Sequence, residues 1–231
     1  AGGVPEHNIV NISTGIDTEP FLHGDGCAVR SELNIPADAP LVGIIASLEP
    51  NKRQDLFLEA ATLVHERFPA AHFVLVGSDK TAREDQQGAY RRLLEELARE
   101  LGLGSHVIFT GFRRDIQNIF SALDVFVLCS DQEALPVSVM EAMASTKPVV
   151  STAVGGVVEL VEDGSSGILV PPGNPVALAK AVVTLLARPE LAGQMGERGR
   201  QIAHNRLSVQ SAVRQNEALY GEVLAEWRRW K

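Results

Sequence analysis

The chain is poor in cysteine and in clustered basic charge, and each shortage removes a class of protein. Cys27 and Cys129 are the only cysteines in 231 residues, and they lack the paired spacing of a zinc site. A disulfide scaffold and a structural zinc are therefore not expected; two small apolar thiols suit a reduced, cytoplasmic setting. No apolar run reaches the roughly 18 residues that a membrane span needs. Lys and Arg number 21 against 29 Asp and Glu, a formal net charge of −8, and the basic residues form no dense run beyond short pairs such as Arg228-Arg229 near the end. Phosphate-backbone binding needs a clustered basic face, so no nucleic-acid partner is expected. A local site could still hold one anionic small molecule.

Familiar phosphate and metal signatures are also missing. No Gly-x-Gly-x-x-Gly follows a strand, which removes the dinucleotide fingerprint. Gly77-Ser78-Asp79-Lys80-Thr81 has the composition of a P-loop ending, but the second glycine and the spacing are wrong. No Asp-x-Asp occurs, which argues against a metal-clamped sugar diphosphate, and no metal is expected. The six histidines are scattered, and no pair has ligand spacing on a predicted helix.

What is present is an alternation. Residues 1–40 are loop-rich, opening on Ala1-Gly2-Gly3 and broken by Pro5, Pro20, a Gly24-Asp25-Gly26 turn and Pro36, and 1–36 are expected to form a linker region. The opening reads as mid-protein. Leu41–Ala46 is then a short apolar run without alternation, as suits a strand buried on both faces. Gln54–Phe68 follows, with Leu56, Phe57, Ala60, Ala61, Val64 and Phe68 at helical spacing. Further strands are predicted at His72–Val76, Val107–Thr110, Val125–Leu128, Pro148–Thr152 and Gly167–Val170. Helices are predicted at Ala89–Leu101, Asp115–Ala122, Pro136–Ala144, Val157–Val161, Pro175–Leu186, Leu191–Asn205 and Ser208–Trp230.

Such alternation implies an α/β, Rossmann-like parallel sheet with helices on both faces. The compact unit would span 37–206, with 207–231 as a closing helix. Ligands in these sheets bind beyond the carboxyl ends of the strands. That points to the loops at 47–53, 77–88, 110–115, 129–135 and 153–156.

The most informative stretch runs from Asp131 through Glu133, Pro136 and Glu141 to Ala144, between a strand and a helix. Pro136 suits the first helical turn, where its missing N–H would have no partner. The next amides, of Val137, Ser138 and Val139, point out of a helix end that favours phosphate oxygens without any basic side chain. Glu133 could meet sugar hydroxyls, and Glu141, inside the helix, could take both hydroxyls of a ribose. On spacing alone, the equally simple readings are an electrostatic helix cap and a solvated helix residue.

Glu133-x7-Glu141 followed by Ala142-Met143-Ala144 resembles the signature of family 4 (group 1) glycosyltransferases of GT-B architecture. The similarity continues through Lys147–Val150, Val154-Gly155-Gly156-Val157-Val158-Glu159 and Asp163–Asn174. Gly15-Ile16-Asp17 with Phe21 looks like the family's interdomain crossover, and Val107–Gly111 like its base-pocket strand. It covers nearly the whole chain, in order, and corresponds to the C-terminal lobe alone.

The resemblance implies a retaining transfer from a nucleotide diphosphate sugar to an acceptor hydroxyl, without metal. Glu133 would contact the transferred sugar and Glu141 hold the ribose. Backbone amides from Leu135 to Ser138, across Pro136 and Val137, would hold the diphosphate together with Lys52. Gly111, Phe112 and Arg113 would border the base, although Arg113 could equally face solvent. Ser47 stands where many members carry a second diphosphate-binding Arg, and Arg53 is the candidate replacement. Ala134 and Pro136 stand where glycines are common, so one amide donor is absent. Thr146 replaces the usual glycine after the signature helix, where a β-branched residue disfavours a left-handed stop.

The partner implied is an N-terminal acceptor-binding domain of the same protein, through which any attachment to the inner face of a membrane would come. The last helix carries Tyr220, Trp227 and Trp230. Either it crosses back onto that domain, or its aromatics cover this domain's own core.

Overall fold

The computed structural model describes residues 9–79 and 88–229. Lys80, Thr81, most of the 77–88 loop, the opening Ala1-Gly2-Gly3 with Pro5, and Trp230 lie outside them, as do the side chains of Arg228 and Arg229. Six strands form one wholly parallel sheet: β1 (Leu41–Ile45), β2 (His72–Val76), β3 (Val107–Gly111), β4 (Val125–Leu128), β5 (Val149–Thr152) and β6 (Gly167–Val170). Their order is β3-β2-β1-β4-β5-β6. This is the doubly wound arrangement, whose order reverses between β1 and β4.

Every strand and helix predicted from residue 41 onward is present, with ends moved by no more than a residue or two. The helices are α1 (Gly26–Glu32), α2 (Gln54–Arg67), α3 (Ala89–Glu100), α4 (Ile116–Ala122), α5 (Val137–Ala144), α6 (Val157–Leu160), α7 (Pro175–Leu186), α8 (Pro189–Arg206) and α9 (Val209–Arg229). The strands read as unbroken apolar runs because both faces are buried. Val42, Ile44, Phe73, Leu75 and Val127 point into one core, shared with α2, α3 and α7. Leu41, Val74, Val76, Phe126 and Leu128 point into the other, shared with α1, α4, α5 and α8.

The loop-rich reading of residues 1–40 missed α1. Asp25 caps this seven-residue helix by accepting the Ala28 N–H at 2.9 Å, and Arg30 anchors it by donating to the carbonyls of Ala39 (2.7 Å) and Ala122 (3.0 Å). The Arg30 partners are ones that a local pattern does not display. Pro136 is the N-cap of α5 rather than its first residue. Thr146 adopts the left-handed stop that its branched side chain disfavours, with φ 60. The Thr146 and Lys147 amides bond back to Met143 and Ala142, and Gly196 of α8 sits so close to the Thr146 carbonyl that no Cβ would fit between them.

Ile16 forms a short parallel bridge with Ser208, through Ile16 N–H to Leu207 O (2.8 Å) and Val209 N–H to Ile16 O (3.0 Å). The two crossover segments thus lie side by side. From there α9 runs out with Val213, Tyr220, Leu224 and Trp227 about half exposed. Tyr220 and Trp227 do not cover this domain's core.

Candidate functional site

The site forms where the sheet order reverses, because the loops after β1 and β4 leave adjacent strands toward opposite faces. The loop after β1 carries Ser47, Asn51, Lys52 and Arg53; the loop after β4 carries Ser130, Asp131, Glu133 and the start of α5. Lys52 Nζ meets Glu133 Oε1 at 2.8 Å, with side-chain exposures of 21% and 9%. The Ser130 hydroxyl donates to the same carboxylate oxygen at 2.6 Å. The two residues assigned to the reacting centre are therefore in direct contact.

The backbone beneath is stitched. Asp131 N–H bonds Asn51 O at 2.9 Å, and Asn51 Nδ2 donates to Gln132 O at 3.1 Å. Burial pushes the Cys129 thiol far up, so it remains a neutral S–H, 3.0 Å from Arg53 O and 3.4 Å from Lys52 O. Gln54, fully buried at the start of α2, donates to Ser47 O at 2.7 Å.

A third loop, after β5, presses on the Glu133 turn. Gly155 has φ 47, and a Cβ there would overlap the Glu133 carbonyl oxygen; a Cβ on Gly156 would overlap that of Ala134. With no side chains in the way, Gly156 N–H bonds Ala134 O at 3.0 Å. The glycine pair was visible as part of a motif, but its role as a seat for Glu133 appears only in the packing.

No protein acceptor takes the amides of Leu135, Val137 or Ser138 among the described residues, whereas Val139 N–H already bonds Pro136 O at 3.1 Å. Three open donors thus face the end of α5, the Leu135–Ser138 stretch lacking one at Pro136. Glu141 lies one turn inside α5. No protein hydrogen bond reaches its carboxylate among the described residues, and burial raises it from 4.5 to about 7. In an apolar setting an unpaired carboxyl resists ionisation unless hydrogen-bond donors arrive.

Beside the loop after β1, a mainly apolar cleft of about 270 Å³ is lined by Ile45, Ser47, Val76, Ser78, Phe112 and Arg113. Gly111 ends β3 at this level. Arg113 borders the cleft without offering it a free charge. Its guanidinium is forked between Glu32 of α1 and Asp115, with Nη2 at 2.9 and 2.8 Å, and it holds both carboxyls below their usual range. Arg53, the candidate replacement for the Arg missing at Ser47, is paired with two carboxylates, Asp55 at 3.0 Å and Asp131 at 3.1 Å. A larger cavity of about 690 Å³, where the crossover meets α9, shares Ala134 and Leu135 with the site.

Elsewhere the fold gathers three histidines that are scattered in sequence. The His106 ring lies 4.4 Å from that of His65 and 5.0 Å from that of His72, at the amino end of β2 and β3, opposite the site. Among the described residues no group of three or more His, Cys, Asp or Glu has the arrangement of a metal site. No helix among them is long and apolar enough to cross a membrane.

A wholly parallel, doubly wound sheet with open amides at a helix end, and a cleft beyond the carboxyl ends of its strands, defines a Rossmann-like α/β domain. The chain belongs to the glycosyl transferases group 1 family, whose sequence model matches residues 28–202. It is 31% identical over 222 residues to a D-inositol 3-phosphate glycosyltransferase of Saccharomonospora viridis, covering 94% of this chain and 51% of the relative. It superposes on Anabaena HepE in complex with UDP with a TM-score of 0.82 at 28% identity, covering 90% of this chain and 56% of that one. It also matches the C-terminal domain of a group 1 glycosyl transferase from Francisella tularensis over that domain's whole length and 84% of its own, with TM-score 0.74 and 26% identity. The chain spans about half the length of the curated relatives it matches. The fold is one lobe of the GT-B architecture.

Proposed function

We propose that this chain is the donor-binding half of a retaining, metal-independent glycosyltransferase that moves a sugar from a nucleoside diphosphate sugar to an acceptor hydroxyl. The observation that carries the reading is Glu141, a half-buried carboxyl without a partner among the described residues, one turn inside a helix whose opening amides no described acceptor takes. A ribose diol supplies the two donors that this carboxyl lacks. The diphosphate then reaches the amides of Leu135, Val137 and Ser138, and Lys52 Nζ completes the cradle. When the glycosidic bond to the donor breaks, negative charge grows on the leaving diphosphate. Fixed amides and one ammonium are placed to stabilise it. Glu133, held by Ser130 and, until the donor arrives, by Lys52, positions the transferred sugar and faces the oxocarbenium-like centre. Ser78 and Phe112 border the base, and the charged side chain that lines the cleft among the described residues, Arg113, is paired with Glu32 and Asp115.

The acceptor site belongs to an N-terminal domain that docks along the exposed stripe of α9. The proteins that the chain resembles include one bound to UDP, which makes a uridine nucleotide the first choice of donor.

The test is a thermal-shift panel in EDTA with UDP, GDP, ADP and CMP and their sugar conjugates. At ten times the dissociation constant, linkage adds about 1.4 kcal/mol, a rise of about 3–5 °C. The shift should appear with one nucleoside diphosphate and vanish in Glu141→Ala and Lys52→Ala. Ser47, with no cation in place of the family's Arg, favours a second reading as a non-catalytic module. Nucleotide binding without transfer by the two-lobed protein would select that reading.

A further inference from the structure

We infer that Arg53 and Asp131 form a positioning clamp for Lys52, setting the distance between the loop after β1 and the diphosphate cradle after β4. The inference rests on the donor-binding reading of the site. Arg53 has φ 51 and ψ 43, a left-handed conformation that ordinary side chains avoid, and it is both the end of the 3-10 turn Pro50–Lys52 and the N-cap of α2. A glycine would fit that backbone with less strain, so the retained side chain needs a reason.

Its geometry supplies one. Nε and Nη2 grip Asp55 at 3.1 and 3.0 Å, which fixes the guanidinium against its own helix. Nη1 reaches across the switch point to Asp131 Oδ1 at 3.1 Å. The bond joins the Asp131 N–H to Asn51 O and Asn51 Nδ2 to Gln132 O bonds, the Cys129 thiol contacts and the Lys52–Glu133 pair in tying the same two loops within a few residues. The Lys52–Glu133 pair must loosen whenever Lys52 turns from Glu133 toward a diphosphate. The clamp keeps the loops in register while that happens. It also engages Asp131, an anionic neighbour that would otherwise compete for Lys52.

Arg53→Gly, Asp131→Ala and the double variant test this in the 231-residue chain, by melting temperature, UDP affinity and amide exchange. Each single variant should raise the UDP dissociation constant about fivefold, in line with losing one ordered, partly exposed ion pair. The melting temperature should stay within about 2 °C, because glycine relieves the left-handed strain at 53 and Asp131 is half exposed. The double variant should be no weaker than either single one, since both remove one link.

Tighter binding in Asp131→Ala would overturn the clamp and make Arg53 a simple cation. Additive losses, unchanged affinity in both singles, or affinity falling only as melting temperature falls would overturn it too. If the unmodified chain bound no nucleoside diphosphate, the donor reading itself would fail. The clamp would then be judged on exchange of the Asp131 amide, which must quicken in Arg53→Gly for the inference to stand.

Discussion

Replacing Glu141 by Gln should stabilise the free domain while weakening its hold on a nucleotide sugar, and both effects have a defined pH dependence. Burial raises the Glu141 carboxyl from 4.5 to about 7. A carboxyl raised in the fold binds its proton more tightly there than in the unfolded chain. Its stabilising contribution is complete below about pH 4.5 and is lost as pH rises through about 7. Above that, the fold carries a partly buried carboxylate without a protein partner. At 1.36 kcal/mol per unit this costs up to about 3 kcal/mol, nearer 2 where water reaches the group. At pH 8 the Gln variant should melt roughly 4–8 °C above the unmodified chain, and the gap should close toward pH 5.

Binding runs the other way, because a ribose diol needs an ionised acceptor. With a carboxyl at about 7, the ionised fraction falls from about nine-tenths at pH 8 to about one-tenth at pH 6. The dissociation constant for UDP-glucose should therefore rise about tenfold over that range. UDP-glucose suits the assay because it lacks the terminal phosphate that titrates near pH 6. Calorimetric titration at pH 6, 7 and 8 and constant ionic strength measures the slope. A flat dissociation constant in the unmodified chain, or a slope that survives in Glu141→Gln, refutes the reasoning.

Gly155→Ala should lower stability by about 3 kcal/mol or more and abolish the nucleotide shift, because the new methyl overlaps the Glu133 carbonyl at a positive φ; thermal melting with and without UDP reads both effects. Thr146→Gly should raise the unfolding free energy by about 0.5–1 kcal/mol, read as a higher urea midpoint at unchanged slope, since relief of the left-handed strain outweighs the added chain entropy. The histidine trio makes the fold acid-sensitive. Burial, reinforced by neighbouring rings, holds His65 and His72 below their ordinary 6.5, so the fold favours their neutral forms. That contribution is present above about pH 6.5 and is lost as pH falls through the lowered values. Melting temperatures at pH 7.5 and 5.5 should fall apart for the unmodified chain and less so for His65→Leu; an equal drop in both would discount the cluster.

The strands and helices after residue 41 were legible because each is a local statement. A fully buried parallel strand must be a short apolar run, and α2 must repeat its apolar residues every three or four positions. The helix-end loop with Glu133 and Glu141 was legible for the same reason, since Pro136 and the two carboxylates lie within nine residues. Helix α1 was not, because its anchor, Arg30, bonds to Ala39 and Ala122 rather than to its own turn. Thr146 contradicted its own preference because Gly196 lets α8 press on that turn. Likewise, nothing local in the sequence says that Lys52 touches Glu133, that Arg53 turns to Asp131, or that Glu32 occupies Arg113. Each pair is joined across the sheet, where only the strand order brings loops distant in sequence to one edge. Periodicity and motif are written residue by residue, so the sequence alone determined the elements and the donor loop. Charge pairing depends on distance in space, so the tertiary structure alone decided which cations are free.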